Sequence, residues 1–167
     1  MRATATVVGL EHLPEAMRSL HALSRLDYVD SSTLQTSDAA SWSAEQWARA
    51  VLEDGPLVRR YGFIPWRVVL GLRLGPSHAP GYVHGWKIVG RGEDWIRLEA
   101  ASWLMTCNAV ARVEEGRVTV ALFVRYDNRV AATVWSLAST FHRRALPVIL
   151  YQGFRVLSPA PMAEVAR

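Results

Sequence analysis

The chain has 167 residues, of which half are apolar and one fifth are charged. This length supports one domain with a sizeable core, and the composition excludes a disordered chain, a collagen-like repeat and a disulfide scaffold. Nineteen Lys and Arg against fifteen Asp and Glu give a net charge of +4, and the basic residues are spread along the chain without a run of five. Because nucleic-acid-binding proteins usually concentrate their basic residues, we expect no nucleic-acid partner.

The cysteine count and the N-terminal segment bear on location. Cys107 is the single cysteine, so no intrachain disulfide can form, which is typical of a reducing cytoplasm. Residues 1–17 lack the apolar core and cleavage site of a secretory signal, and no apolar run reaches the ~18 residues of a transmembrane helix. The five histidines show no metal-ligand spacing. We therefore expect a cytoplasmic protein with no transmembrane segment, metal or cofactor.

The first part of the chain predicts short helices around one strand. Pro14 is placed to open a short helix. The β-favouring residues of 27–36 then predict a strand. Ser43 and Gln46 have the spacing of a capping box, which predicts that a helix begins there. A further helical stretch is expected over residues 57–72.

The rest of the chain predicts an antiparallel sheet followed by one long helix. Glycines and prolines indicate a loop over residues 74–85. Alternating apolar residues between turn sequences then predict four strands, over residues 86–89, 95–100, 104–113 and 117–126. Asp127 or Asn128 can cap a helix that runs to about Phe154. Its apolar stripe is predicted to consist of Val130, Val134, Leu137, Phe141 and Ala145.

The order of these elements predicts an α+β fold. The C-terminal helix is the only element long enough to cover one face of the antiparallel sheet, and the two short helices after the first strand would close one end. This order resembles the helix-grip fold of the START-like superfamily, which includes the polyketide cyclases and the birch-pollen-allergen family. Local similarity to a bacterial branch of that superfamily is found in four short pieces: DYVD at 27–30, GWKIV at 85–89, RLEA at 97–100 and FHRR at 141–144.

The resemblance covers about residues 26–156, within a single domain of residues 1–167. Residues 1–25 are then an N-terminal extension, and residues 157–167 are a tail. Five strands are predicted where the fold often has six or seven, so further strands are expected within 30–42 or 70–85.

The resemblance also implies a deep apolar cavity between the sheet and the C-terminal helix. Small residues on one face of 104–113 are consistent with room for a ligand there, although close packing without a void is the alternative. Trp86 could stack on a flat ligand, or it could simply be part of the core. The candidate ligand-binding residues are His84, Trp86, Leu98, Met105, Cys107, Ala109, Leu122, Val124, Leu137 and Phe141.

Three side chains are candidates for proton transfer. His142 follows Phe141 on the long helix and could point into the cavity, or it could bond to a carbonyl or to water on the helix flank. Asp30 alternates with Tyr28 on the first strand and could orient His142, or it could cap backbone at a strand edge. Tyr126 could donate to a ligand carbonyl, or it could bond to backbone at the start of the helix.

Three hypotheses about function remain open at this point. The first is a protein that binds an apolar or polyketide-like small molecule and catalyses its cyclisation, dehydration or isomerisation without a cofactor. The second is a non-catalytic carrier or sensor of a lipid or hydrophobic metabolite, and the third is a partner-binding domain without a cavity. Trp95 and Trp103 alternate with charged residues on the expected outer face of the sheet, which leaves a homodimer open.

Overall fold

The computed structural model describes residues 2–3, 5–61, 65–77 and 79–159. An antiparallel sheet lies at its centre. The strands are β1 (Arg2–Ala3), β2 (Val7–Val8), β3 (Tyr28–Gln35), β4 (Tyr82–Val83), β5 (Trp86–Arg91), β6 (Trp95–Ala101), β7 (Met105–Glu114) and β8 (Arg117–Tyr126). Their order is β1–β3–β8–β7–β6–β5–β4, and β2 also pairs with β3. The five strands predicted from the sequence are confirmed, and β4 supplies one of the additional strands expected within 70–85.

One short helix precedes β3, two short helices follow it, and a long helix follows β8. They are α1 (Glu15–Arg18), α2 (Ala44–Arg49), α3 (Pro56–Tyr61) and α4 (Arg129–Leu157), with π-helical turns over Ala50–Asp54 and Pro65–Val69 and 3-10 turns over Leu10–His12 and Ala39–Ser41. The predicted capping box is present, because the Ser43 side chain accepts from the N–H of Gln46 while the Gln46 side chain accepts from the N–H of Ser43. Asn128 caps α4 by accepting from the N–H groups of Val130 and Ala131.

One face of the sheet is covered by α4 together with α2 and α3. The core between them contains residues from all of these layers, among them Leu34, Trp47, Leu122, Trp135 and Leu150. The predicted fold class is therefore confirmed: an α+β helix-grip arrangement in which the sheet wraps on a long C-terminal helix, with short helices after β3. Among the described helices, none combines the length and the apolar character that a bilayer span requires.

The N-terminal segment covers the other face of the sheet. Leu13, Met17 and Leu23 form a second apolar cluster with residues of β3, β7 and β8, including Phe123. Asn108 on this face is fully buried, and its side chain accepts from the N–H of Ala22 and donates to Glu99. The segment before β3 thus contributes its own buried layer instead of lying free on the surface.

The predicted apolar stripe of α4 is wrong at three of its five positions, whereas Val134 packs against the core and Ala145 lines the cavity. Val130, Leu137 and Phe141 are exposed, Leu137 to 75%. The buried face consists instead of Ala131, Trp135, Ser139, Leu146, Ile149, Leu150, Gly153 and Phe154. Small side chains at Ala131 and Ser139 allow the helix to lie close to the sheet, where the bulk of Leu137 or Phe141 would hold it away.

Candidate ligand cavity

An apolar cavity of about 280 Å³ lies between the sheet and the helices. Its sheet wall is formed by Trp86, Cys107, Ala109 and Leu122, from β5, β7 and β8. Ala109 and Leu122 are direct partners in the antiparallel ladder, so they lie side by side on the face that α4 covers. Small Ala109 is only partly buried, which leaves space above it. The cavity therefore lies over the middle of β7 and β8.

The helical wall comes from α4 and from the stretch after β3. Seven residues of α4 line it on successive turns, namely Trp135, Ala138, Phe141, His142, Ala145, Leu146 and Ile149. The opposite side is formed by the π-helical turn that follows α2, by α3 and by the second π-helical turn. This side includes apolar residues that the sequence interpretation did not select, such as Val51, Leu57, Val58, Trp66 and Leu70. For Leu57, Val58, Trp66 and Leu70 the signal in the sequence was the interrupted apolar helical pattern of residues 57–72.

The mouth of the cavity is marked by lining residues that are also exposed. Tyr61 at the end of α3, Val69 in the second π-helical turn and Phe141 on α4 are exposed to 49%, 52% and 63%. A residue that contacts both the cavity and bulk solvent must lie at the opening. The cavity therefore opens between the end of α3 and the middle of α4.

The structure brings together only part of the predicted ligand-binding set. Trp86, Cys107, Ala109, Leu122 and Phe141 line the cavity, as does the catalytic candidate His142. Within the described part of the chain, the other five predicted residues are not on its wall. They are His84, Leu98, Met105, Val124 and Leu137.

The predictions for these five positions are wrong for three different reasons. Leu98, Met105 and Val124 have at most 1% exposure, because neighbouring side chains fill the core around the cavity. His84 lies in the turn between β4 and β5, where its N–H bonds to Glu53 and its ring contacts the edge of Trp66. Leu137 is on the solvent face of α4.

A hydrogen-bonded chain of three side chains ends at the cavity wall. Nε2 of His142 lies 3.2 Å from Oδ1 of Asp30, across 112 residues of sequence. The Tyr28 hydroxyl donates to Oδ2 of the same carboxyl group at 2.6 Å. Tyr28 and Asp30 alternate on β3, so both point to the face that α4 covers. The predicted contact between Asp30 and His142 is present.

Tyr126 is not the tyrosine that reaches this chain. It lies at the end of β8 and does not line the cavity, because the strand has by then passed beyond the opening. Its backbone N–H bonds to Asp27, and its backbone carbonyl accepts from Arg25. Tyr126 was expected to donate to a ligand carbonyl, whereas the tyrosine that joins the chain is Tyr28, which the sequence interpretation named only as the neighbour of Asp30.

Burial and charge assign the direction of these hydrogen bonds. The Asp30 side chain has 0% exposure, whereas that of His142 has 23%. Burial, and next the negative charge of Asp30, raise the pKa of Tyr28, so its hydroxyl keeps its proton and acts as the donor. The Tyr28 hydroxyl donates to Oδ2 of Asp30, and if Oδ1 accepts from His142, the imidazole proton lies on Nε2. Nδ1 is then the nitrogen that can accept a proton.

Trp135 packs against both ends of the chain. Its ring centroid lies 5.3 Å from that of Tyr28, edge to face, and 5.6 Å from that of His142. With 2% exposure it also keeps water away from the buried carboxyl group. Trp135 was not selected from the sequence, because the predicted stripe of α4 ran through its neighbour Val134.

Cys107 gives a direct chemical test of how closed this site is. Burial raises the pKa of Cys107 to about 12, from an ordinary value of 9.0. Since the thiolate is the reactive form, we expect iodoacetamide at pH 8 to label Cys107 roughly a thousandfold more slowly in the folded protein than in guanidinium chloride. The raised pKa also predicts that the free energy of unfolding falls between about pH 9 and pH 12, because only the unfolded chain releases the thiol proton in that range. Cys107→Ala should remove this fall. Equal labelling rates in the two states would contradict the buried position.

The described residues contain no group of three or more His, Cys, Asp or Glu placed to hold a metal ion. Comparisons of the chain with protein-family models, curated proteins and solved structures find no match. The candidate site therefore stands on its geometry: an apolar cavity, its exposed mouth, and the Tyr28–Asp30–His142 chain at its wall.

Proposed function

We propose that the protein binds an apolar small molecule in this cavity and that His142 exchanges a proton with it. The reaction would be a cofactor-independent cyclisation, dehydration or isomerisation. The proposal rests on one observation: the cavity wall is almost entirely apolar except for the imidazole of His142, which is held by the buried carboxyl group of Asp30. Burying Asp30 is costly, and a purely structural core has no need of it.

The cavity itself indicates the class of ligand. Its volume of about 280 Å³ is close to the lower end of ligand pockets, which run from ~300 to ~1,000 Å³. Leu122, Ile149 and similar side chains supply dispersion contacts but no hydrogen bonds. The ligand is therefore small and mainly apolar, with one polar group or acidic C–H placed to meet Nδ1 of His142. A small aromatic or polyketide-like molecule has this character.

The three-residue chain suits a general base. Nδ1 of His142 takes a proton from the ligand, for example from a carbon next to a carbonyl group, and the electron pair of that bond stays on the ligand as an enolate. The imidazolium that forms is stabilised by the Asp30 carboxylate at 3.2 Å. His142 then returns the proton to a different atom of the ligand, which completes an isomerisation, or to a leaving hydroxyl group, which completes a dehydration.

A carrier is the second candidate, and one observation favours it. Among the described lining residues, the polar hydrogens besides that of His142 belong to aromatic side chains and to the Cys107 thiol. A site with few groups to stabilise a developing negative charge is better suited to holding a ligand than to transforming it. In this case His142 would anchor a polar group of the cargo.

Native mass spectrometry of protein purified from its own host, followed by extraction, is the first experiment. A stoichiometric apolar molecule is expected. Failure to retain any molecule, together with failure of the neutral dye N-phenyl-1-naphthylamine to bind, would contradict the proposal. Once the ligand is identified, His142→Ala separates the candidates. Loss of turnover with retained binding supports catalysis, whereas retained binding without turnover in either protein supports a carrier. His12→Ala is the matched control, since His12 lies on the surface.

A further inference from the structure

The mouth of the cavity is surrounded by apolar side chains that nothing in the described structure covers. Val68 and Leu137 are exposed to 74% and 75%, and they adjoin the rim residues Val69 and Phe141. Tyr61 completes the rim from α3. Single exposed apolar residues are ordinary on a protein surface, but a contiguous group around an apolar opening marks a contact surface.

The charges of α3, the second π-helical turn and α4 are all of one sign, although the π-helical turn Ala50–Asp54 on the cavity wall carries Glu53 and Asp54. Residues 55–92 and 128–159 hold α3, the second π-helical turn, β4, β5 and α4. They contain ten of the nineteen Lys and Arg residues and none of the fifteen Asp and Glu residues. The rest of the chain is therefore net negative although the protein is net positive. This separation of charge is not obvious in the sequence, because the arginines are spread along the whole chain and only the acidic residues are missing from these two ranges.

Four of these arginines belong to the elements that carry the rim residues. Arg59 and Arg60 are exposed on α3, Arg67 on the second π-helical turn and Arg144 on α4. The guanidinium of Arg60 lies 5.4 Å from the ring centroid of Tyr61 at the rim. We call these four arginines, together with Tyr61, Val68, Val69, Leu137 and Phe141, the mouth face.

We propose that the mouth face docks on an anionic phospholipid surface, so that apolar ligands pass between the bilayer and the cavity. The arginines would meet lipid phosphates, while the apolar rim would enter the boundary between headgroups and acyl chains. The opening would then face the phase in which an apolar ligand is concentrated. The docking does not depend on any chemistry at His142.

Charge and side-chain type argue against other occupants. A second copy would bring the same arginines against each other, with no carboxylate in the facing segments to compensate. A nucleic acid would leave Val68 and Leu137 without a matching surface, because aliphatic side chains offer no stacking platform for bases. An acidic protein remains the competing occupant, and the experiment separates it from lipid.

Co-sedimentation of the full chain with vesicles tests the proposal. We expect binding to vesicles that contain 30% phosphatidylserine in phosphatidylcholine, weak binding to phosphatidylcholine alone, and release as salt is raised. Arg60→Gln with Arg144→Gln is expected to lower the partition coefficient about 30-fold, since each basic side chain near an anionic surface contributes ~1 kcal/mol. Leu137→Ser is expected to weaken binding to anionic vesicles as well, whereas a purely electrostatic contact would not respond to it.

The matched controls lie outside the mouth face. Arg18→Gln with Arg117→Gln removes the same charge from arginines that are paired with Glu15 and Glu114. Leu10→Ser removes an exposed apolar side chain from the N-terminal segment. Binding that these controls weaken as much as the mouth-face variants would overturn the proposal, as would the absence of binding to anionic vesicles. Loss of vesicle binding with retained dye binding would overturn the docking alone and leave the proposed function standing.

Discussion

Asp30→Asn is expected to lower turnover by about a thousandfold or more while the protein remains folded. Asparagine still accepts from the Tyr28 hydroxyl through its carbonyl oxygen, but it presents an NH₂ group to His142. The imidazole must then accept at Nε2 and carry its proton on Nδ1. The nitrogen that faces the ligand would thus become a donor, and the general base would be lost.

The tautomer can be measured without knowing the substrate. The ¹⁵N chemical shifts of the His142 ring distinguish a proton on Nε2 from one on Nδ1, and we expect the first in the parent protein and the second in Asp30→Asn. Dye binding should change little, because the carboxyl group is not on the cavity wall. Asp38→Asn serves as the control at an exposed carboxylate. An unchanged tautomer in Asp30→Asn would show that Asp30 does not orient His142.

Asp30→Asn is a better test than Asp30→Ala, because alanine would change both the orientation of His142 and the stability of the protein. Asp30→Ala would leave the Tyr28 hydroxyl buried without its acceptor, which costs about 1–3 kcal/mol of folding free energy. Tyr28→Phe removes the donor but leaves Oδ2 of the buried Asp30 carboxyl without its hydrogen bond, so it is also expected to lower the free energy of unfolding. Any loss of turnover in Tyr28→Phe would identify Tyr28 as a positioning residue for the pair.

Ala109→Leu is expected to weaken ligand binding at least tenfold with little change in stability. The added carbons point into the cavity above β7, where they find space. We expect the affinity for the extracted ligand or for N-phenyl-1-naphthylamine to fall at least tenfold. The unfolding free energy should change by less than about 1 kcal/mol, as measured by thermal or denaturant unfolding.

Ala111→Leu is the matched control two residues further along the same strand face. Ala111 is 5% exposed and belongs to the filled core, not to the cavity wall. Overpacking there should cost about 1–3 kcal/mol, which lowers the melting temperature by several degrees for a protein of this size. If Ala109→Leu were as destabilising as Ala111→Leu, the space above Ala109 would be absent.

Much of the fold could be predicted from local sequence. The alternation of apolar residues in 117–126 gave the exact bounds of β8, and the spacing of Ser43 and Gln46 gave the start of α2. These succeed because strand alternation and capping depend on residues close in sequence. The pairing of β1 and β2 with β3 was missed, because two-residue strands carry too little pattern to be recognised.

The register of α4 was decided by tertiary packing. Its sequence offers two neighbouring stripes, one with Leu137 and Phe141 and one with Ala131, Trp135 and Leu146. The helix buries the second stripe, in which the small side chains of Ala131 and Ser139 permit a close approach to the sheet. The bulky stripe that remains outside then supplies part of the mouth face. A pattern within one helix cannot show which side will meet the sheet.

The candidate site divides in the same way between sequence and structure. Alternation alone placed Tyr28 and Asp30 on one face of β3, and helical spacing placed His142 near the middle of α4. Their contact, the position of Tyr126 beyond the cavity and the charges around the opening depend on how distant segments pack. The sequence by itself determined the elements and the residue types that each could present. Only the tertiary structure decided which of them share the cavity, because burial and contact depend on long-range packing that no local pattern records.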